Sequence, residues 1–206
     1  MIGNIFGDLF IRYPELDVCK NDIENAYNIM VECYENGGKL LCCGNGGSAA
    51  DCDHLVGELM KGFLKKRPLS DDEKKKFTSS FAADNLQKGL PAISLCAHSA
   101  LMTAFSNDES PSLVFAQQVY AYAQKNDLLV AFSTSGNSEN VVYAVEAAKA
   151  AGIKVIGITG GNKSKLSETC DVCICLPETE TYKIQELTLP VYHCLAAMIE
   201  DKYFEI

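Results

Sequence analysis

The sequence predicts an α/β protein with a doubly wound, five-stranded parallel sheet flanked by helices. Three observations predict it: short apolar runs alternate with helical patterns, the runs are apolar at every position, and a Gly- or Ser-rich loop follows two of them. Continuously apolar strands joined by helices are typical of parallel sheets buried on both faces. Ligands of such sheets bind at the carboxyl ends of the strands, and we expect a flavodoxin-like strand order.

The elements of the first half follow from periodicity and from glycines. Apolar residues at helical spacing predict an amphipathic N-terminal helix over about 15–36, which Gly37-Gly38 ends. The first strand is predicted at 39–43, and a helix at about 49–65 follows the loop after it.

Residues 61–89 interrupt this rhythm because they are polar and charged, with a run of three lysines. Ser70-Asp71-Asp72-Glu73 has the pattern of a capping box, which predicts the start of a further helix. We therefore expect an inserted helical excursion here, within one domain that spans residues 1–206.

The second half alternates regularly between strands and helices. Strands are predicted at 92–96, 128–132, 155–158 and 172–176, and helices at about 112–124, 138–151 and 182–202. A chain of 206 residues is long enough for one domain with a single sizeable core.

Composition restricts the class of partner and the compartment. A formal net charge of −9 argues against nucleic acid as a partner, because phosphate backbones require clustered Lys and Arg. No apolar run reaches the roughly 18 residues of a membrane span, and the N-terminus lacks the pattern of a secretion signal. We therefore expect a cytoplasmic protein without a membrane partner, whose ten cysteines are free.

The two loops after strands indicate an anionic ligand. Gly44 to Ser48 and Ser133 to Ser138 each lie between a strand and a helix, where glycines allow close approach and the helix N-terminus favours an anion. The second loop has four hydroxyls in six positions, more than a helix cap needs, although Ser138 could also cap its helix. Neither loop carries a Walker lysine, and no second strand with an acidic residue follows the first loop at dinucleotide spacing. The pattern favours a phosphosugar.

At these loops the sequence resembles the SIS-domain phosphoheptose isomerases. The resemblance rests on five motifs in order: Cys43-Gly-Asn-Gly-Gly-Ser48, His54-Leu-Val-Gly-Glu58, Asn107-Asp108, Ser133 to Ser138, and Ile184-Gln-Glu186 through His193. It covers nearly the whole chain apart from the excursion. It implies an aldose–ketose isomerase that converts sedoheptulose 7-phosphate to D-glycero-D-manno-heptose 7-phosphate, as a homotetramer with active sites at subunit interfaces.

The resemblance also implies a role for each site residue. Phosphate would be held by Ser133, Thr134, Ser135 and Ser138, and the sugar contacted by Asn45, Gly46, Gly47, Ser48, Asn107, Asp108 and Gln185. Glu58 would be the base and His193 its acid partner. In zinc-containing members, the metal ligands match His54, Glu58, Gln185 and His193.

The chemistry suits these residue types. Isomerisation removes a proton beside a carbonyl to give an enediolate, so it needs a tunable carboxylate and an acid. His54 and Glu58 are four residues apart and therefore share one face of a helix. They can bind a metal together, or His54 can orient Glu58 as the base. The plain alternative is a surface His–Glu pair without a function. Gln185 and His193 would lie roughly 12 Å apart on a continuous helix. Either Pro190 bends that helix, or, as we favour, the two residues serve sites shared with different subunits.

Departures from the family lie at the rim of the site. His98-Ser99-Ala100 replaces a frequent Asp-Thr-Ser, Lys61-Gly62 replaces Gly-Arg, and Tyr182 replaces an Asp or Thr. Two alternatives therefore stay open: an isomerase of another phosphosugar, such as a hexosamine or pentose phosphate, and a non-catalytic SIS regulatory or scaffold protein of the replication-initiator-associating type.

Overall fold

The computed structural model describes residues 2–204 and contains a five-stranded sheet. Its strands are β1 (Leu40–Cys43), β2 (Ala92–Ser94), β3 (Leu128–Phe132), β4 (Lys154–Gly160) and β5 (Val172–Leu176). Every neighbouring pair is parallel, and the order is β2-β1-β3-β4-β5. The predicted parallel sheet and its flavodoxin-like order are confirmed.

Helices cover both faces of the sheet. They are α1 (Ile2–Arg12), α2 (Lys20–Glu35), α3 (Gly47–Met60), α4 (Asp71–Lys74), α5 (Ser80–Asn85), α6 (Ser99–Asp108), α7 (Val114–Tyr122), α8 (Glu139–Ala150), α9 (Lys165–Thr169) and α10 (Thr181–Tyr203). Short 3-10 turns at Pro14–Cys19 and Pro111–Leu113 precede α2 and α7. The sequence predicted α2, α3, α7, α8 and α10, whereas α1, α6 and α9 were missed.

The core consists of two apolar layers that share the strands. Leu40 and Cys42 of β1 point into the layer with α2, α3 and α10, whereas Leu41 and Cys43 point into the layer with α7 and α8. Successive side chains of a strand face opposite sides of a sheet. Because both sides are covered by helices, every position of β1 is buried, which explains the continuously apolar strand.

Helix α3 is shorter than predicted. We expected it to reach residue 65, but it ends at Met60, and Lys61 has an extended backbone. The next residues are held by a carboxylate of α10: Glu200 accepts hydrogen bonds from the backbone N–H groups of Phe63, Leu64 and Lys65 at 2.7–3.1 Å. These contacts replace the helical hydrogen bonds that the sequence pattern predicted.

The excursion over residues 61–89 is only partly helical, because α4 has four residues and α5 has six. The predicted capping box is confirmed: the Ser70 hydroxyl accepts from the Glu73 N–H, and the Glu73 carboxylate accepts from the Ser70 N–H. Lys88 adds an ion pair to Glu73 at 3.0 Å. The ten cysteines are free, as expected. Among the described residues, no helix is both long and apolar enough to cross a membrane.

Candidate functional site

The first loop joins β1 to α3 and lies against α10. Gly46 has a φ of +56°, a value that favours glycine, and it precedes the first residue of α3. A Cβ at Gly47 would lie 2.5 Å from Nε2 of Gln185. The absence of a side chain at Gly47 therefore lets the Gln185 amide approach the loop.

The second loop joins β3 to α8, and its hydroxyls contact one another. Ser138 is the N-cap residue of α8, but its side chain makes no capping hydrogen bond, so the capping alternative does not account for its hydroxyl. Its Oγ instead lies 2.9 Å from Oγ of Ser133, which is 3.5 Å from Oγ of Ser135. The first N–H groups of a helix have no partner within that helix. They therefore remain available to an anion at the start of α8.

The two loops meet because β1 and β3 are neighbours in the sheet. Between them lies a cavity of about 270 Å³, lined by Asn45, Gly46, Gly47, Ser48, Phe132, Ser133, Thr134, Ser138, Thr181 and Gln185. Eight of these were predicted site residues. The described lining carries no charged side chain, so an anion here would be held by hydroxyls, amides and the N-termini of α3 and α8.

Thr181 was missed by the sequence analysis. It is the first residue of α10, and the start of that helix faces the cavity. A hydroxyl at the start of a helix is a signal that could have found it, but the predicted helix began one residue later.

A pair of amides connects the first loop to the start of α8. Asn45 donates to Asn140 at 2.8 Å, and Asn140 donates back to Asn45 at 2.9 Å. Asn45, predicted to contact the sugar, thus already has an amide partner at the start of α8. Asn140 was not predicted, because nothing in the local sequence distinguishes it from other polar helix residues.

Three further predicted residues do not line the cavity. Ser135 contacts Ser133 within the second loop, as described above. Asn107 and Asp108 lie at the exposed end of α6, where the Asn107 amide donates to the Asp108 carboxylate at 2.9 Å. Their roles toward the sugar stay predictions.

The predicted base and acid lie together in a second place, between α3 and α10. Nε2 of His54 is 3.2 Å from Oε1 of Glu58, and the rings of His54 and His193 have centroids 4.9 Å apart. Lys61 donates to Oε2 of Glu58 at 2.8 Å. Lys61 is one of the departures from the family named above, but its contact with Glu58 was not predicted.

The surroundings shift the pKa values of both groups. Burial raises the pKa of Glu58, but Lys61 and His54 together lower it by more, so it lies below its ordinary value. Burial, followed by the charge of His54, lowers the pKa of His193. Glu58 is therefore an ionised carboxylate and His193 a neutral imidazole near pH 7. Nε2 of His193 is buried and has no hydrogen-bond partner.

The cavity and the acid–base cluster are separate in the chain. Gln185 and His193 lie on the continuous helix α10, which contains Pro190. Eight residues correspond to roughly 12 Å of helix, and Gly47 is roughly 10 Å from His54 along α3. Gln185 is thus at the cavity and His193 at the cluster. Among the described residues, no three His, Cys, Asp or Glu side chains are arranged to hold a metal ion.

His193 also borders another cavity, of about 330 Å³, between α1 and α10. Its lining is mainly apolar, with Asp8 and Arg12 of α1 at its edge. The cluster therefore faces open space on the side away from the two loops.

Known sequences resemble this chain over nearly its whole length. SIS-domain profiles match residues 95–198 and residues 16–85. The phosphoheptose isomerase of Rhodospirillum rubrum is 39% identical over 94% of this chain and 91% of its own length. That of Thiobacillus denitrificans is 39% identical over 98% of this chain and 93% of its own.

Solved structures of phosphoheptose isomerases also superpose on this chain over nearly its whole length. A phosphoheptose isomerase from Francisella tularensis superposes with a TM-score of 0.78 at 33% identity, covering 92% of this chain and 91% of that one. The phosphoheptose isomerase of Neisseria gonorrhoeae superposes with a TM-score of 0.70 at 30% identity, covering 95% and 98%.

Proposed function

This chain belongs to the SIS-domain phosphoheptose isomerase family, and we propose that it converts sedoheptulose 7-phosphate to D-glycero-D-manno-heptose 7-phosphate. The observation that carries the proposal is the cavity between the two loops. Its hydroxyls, amides and two helix N-termini suit a phosphate with an attached polyol. The cluster of His54, Glu58 and His193 provides the acid and base that the isomerisation needs.

The residues of the cluster divide the proton transfers between them. Glu58, kept ionised by Lys61 and His54, removes the proton from C1 of the open-chain ketose. His193 donates a proton to the C2 oxygen as negative charge develops there, giving the enediol. Glu58 then returns the proton to C2, and the C1 hydroxyl gives its proton to His193 as the aldehyde forms, which restores the neutral imidazole. A neutral imidazole suits the acid role because it can donate an N–H without first binding a proton.

We propose that two copies of the chain complete each active site, within a homotetramer. The supporting observation is the separation of cavity and cluster by roughly 10–12 Å along both α3 and α10. Loop residues of one subunit would bind the phosphate, while Glu58 and His193 of another would act on C1 and C2. Under this arrangement Gln185 and His193 serve different active sites, which their separation of roughly 12 Å along α10 favours.

Zinc is part of the proposal. Imidazole nitrogens and a carboxylate oxygen are donors that Zn²⁺ accepts, and Nε2 of His193 is a buried nitrogen without a partner. His54, Glu58 and His193 are not arranged around one ion in the described chain, so these three side chains would have to move together to hold zinc, with Gln185 supplied by another copy. Bound zinc would polarise the substrate carbonyl. The proposed compartment is the cytoplasm.

Isotope exchange tests the reaction. The purified protein is incubated with sedoheptulose 7-phosphate in deuterium oxide, with and without added zinc, and the C1 and C2 protons are followed by NMR. We expect exchange and aldose formation with wild type and neither with Glu58→Gln, which keeps the shape of the side chain. Exchange with a pentose or hexosamine phosphate alone would support a different substrate. Failure with every sugar would count against an isomerase.

Mixing two inactive variants tests the shared site. Glu58→Gln removes the base and a Ser133→Ala/Ser138→Ala double variant removes phosphate contacts, so each is expected to be inactive alone. Co-expressed with different affinity tags and purified through both, the mixed oligomer should regain part of the wild-type turnover. If cavity and cluster of one chain act together, the mixed oligomer will stay inactive.

A further inference from the structure

The first loop is rich in glycine, and the amide of Asn45 ties it to α8. Three of the five residues from Gly44 to Ser48 are glycines, which have more backbone freedom than any other residue. Within residues 44–47 only Asn45 has a side chain. That side chain exchanges two hydrogen bonds with Asn140, at 2.8 and 2.9 Å. Asn140 has no part in the function proposed above.

We infer that Asn140 is a positioning residue, which through Asn45 holds the first loop at the distance from the second loop that a phosphorylated sugar requires. Asn45 is one of the residues that line the cavity between the loops. Asn140 is the second residue of α8, directly beyond the second loop. The amide pair therefore spans from one loop to the helix that the other loop begins. This inference rests on the proposed function, because it assigns a task in binding the proposed substrate.

The hydrogen bonds of the pair also fix how the Asn45 amide faces. A primary amide has two N–H donors and two oxygen lone pairs. The contact with Asn140 uses one donor and one lone pair of Asn45, so one of each remains for the hydroxyls of a sugar. Turning either amide over would place oxygen against oxygen and NH₂ against NH₂. Asn140 does not belong to the described lining of the cavity, so it acts through Asn45.

The two loops hold different parts of the proposed ligand. The phosphate is assigned to the hydroxyls of the second loop and the N-terminus of α8, and the sugar to the first loop. Inorganic phosphate therefore needs only the second loop, whereas sedoheptulose 7-phosphate needs both loops at the right distance. Release of the first loop should weaken binding of the sugar phosphate and leave binding of inorganic phosphate unchanged.

Calorimetry with these two ligands tests the difference. The protein also carries Glu58→Gln, so that the sugar is not converted. In Asn140→Ala we expect about 3–10-fold weaker binding of sedoheptulose 7-phosphate, the range that one or two exposed hydrogen bonds provide, and unchanged binding of inorganic phosphate. Asn85→Ala is the matched control, because its amide donates to the Phe81 carbonyl within α5. Equal losses for both ligands, or no loss for the sugar phosphate, would overturn the inference.

A double-mutant cycle separates positioning from a general structural role. Asn45→Ala removes both the sugar contact and the connection to α8. Adding Asn140→Ala to it should therefore weaken binding of the sugar phosphate no further. Alanine favours helix, so α8 is expected to stay folded in the variant. If the effects of the two substitutions add, Asn140 acts independently of Asn45 and the inference is wrong.

Hydrogen exchange of ligand-free protein gives a readout that needs no substrate. The N–H groups of Ser48 and Ala49 donate to the carbonyls of Asn45 and Gly46 at 3.0 and 3.1 Å. Mass spectrometry of peptides that span the first loop should show about 3–10-fold faster exchange in Asn140→Ala and no change in the control variant. Unchanged exchange in Asn140→Ala would overturn the inference. Faster exchange in that variant, with no binding of sedoheptulose 7-phosphate to wild type, would instead count against the proposed function alone.

Discussion

Arg67 and Glu200 form an ion pair in the interior, with Nε and Oε1 2.8 Å apart, although 133 residues separate them in the chain. The same guanidinium donates to the carbonyls of Leu59 at 2.7 Å and Glu58 at 3.2 Å, in the last turn of α3. It also lies over the ring of Phe204, 4.4 Å from the ring centroid. One arginine therefore joins the end of the helix that carries the proposed base to the helix that carries the proposed acid.

Removing one member of this pair should be strongly destabilising. Arg67→Met leaves Glu200 buried without its cation, and we expect a loss of about 3–5 kcal/mol in the free energy of unfolding. Chemical denaturation followed by circular dichroism measures it. Lys74→Met is the control, since the Lys74–Asp84 pair is partly exposed and worth about 0–1 kcal/mol. Equal losses in the two variants would show that the buried pair contributes no more to the free energy of unfolding than the partly exposed pair does.

Lys61 should set the pH below which the enzyme loses activity. It lowers the pKa of Glu58, so its removal by Lys61→Met should raise that pKa and move the acid limb of the kcat profile to higher pH. Turnover measured as a function of pH checks this. The exposed Lys66, changed to Met, is the control and should leave the limb in place. A shift to lower pH would contradict the contact seen here.

Two glycines of α3 should respond in opposite ways to alanine. A Cβ at Gly47 meets the Gln185 amide, so Gly47→Ala should displace Gln185 and raise KM for the phosphosugar about tenfold or more. Gly57 has open space around its Cβ position. Gly57→Ala should therefore stabilise the protein by about 0.5–1 kcal/mol, since alanine restricts the unfolded chain and favours helix. Steady-state kinetics and thermal unfolding of both variants test the contrast.

The excursion should loosen in acid. Hydrogen bonds from Ser70, together with the Lys88 ammonium, lower the pKa of Glu73 to about 2. A carboxylate with a lowered folded-state pKa contributes stability above its unfolded value, near 4.5, and loses it as the pH falls toward 2. Amide protection factors around Ser70 should fall over this range while those of the sheet persist. In Glu73→Gln the protection factors around Ser70 should be low at every pH in this range. If they still fell with pH as in wild type, another group would be responsible for the loosening.

The sheet was predictable because its determinants are local. Each position of β1 and β3 is buried, so the strands are apolar runs that end at recognisable loops. Helix α6 was missed because none of its residues is fully buried, which leaves no apolar stripe to detect.

The site was predictable in composition but not in grouping. The loop residues directly follow predicted strands, which places them at the carboxyl edge of the sheet. The spacing of His54 and Glu58 predicts that they share one face of a helix. The rise of a helix likewise predicts that Gln185 and His193 lie roughly 12 Å apart. By contrast, which of the two lies at the loops depends on how α10 packs against α3. The contacts of Arg67 with Glu200, and of Tyr192 with Asp51, join residues more than 130 positions apart. Such contacts have no signature in the local sequence.

The neutral lining of the proposed phosphate cavity has a consequence for how the substrate arrives. A chain with a formal charge of −9 repels a phosphorylated sugar at long range, and dipoles in the cavity act only at contact. Dissolved ions shorten the reach of such repulsion to about 10 Å at 0.1 M. Moderate ionic strength should therefore speed the encounter instead of slowing it, the reverse of what a lysine-lined pocket would show.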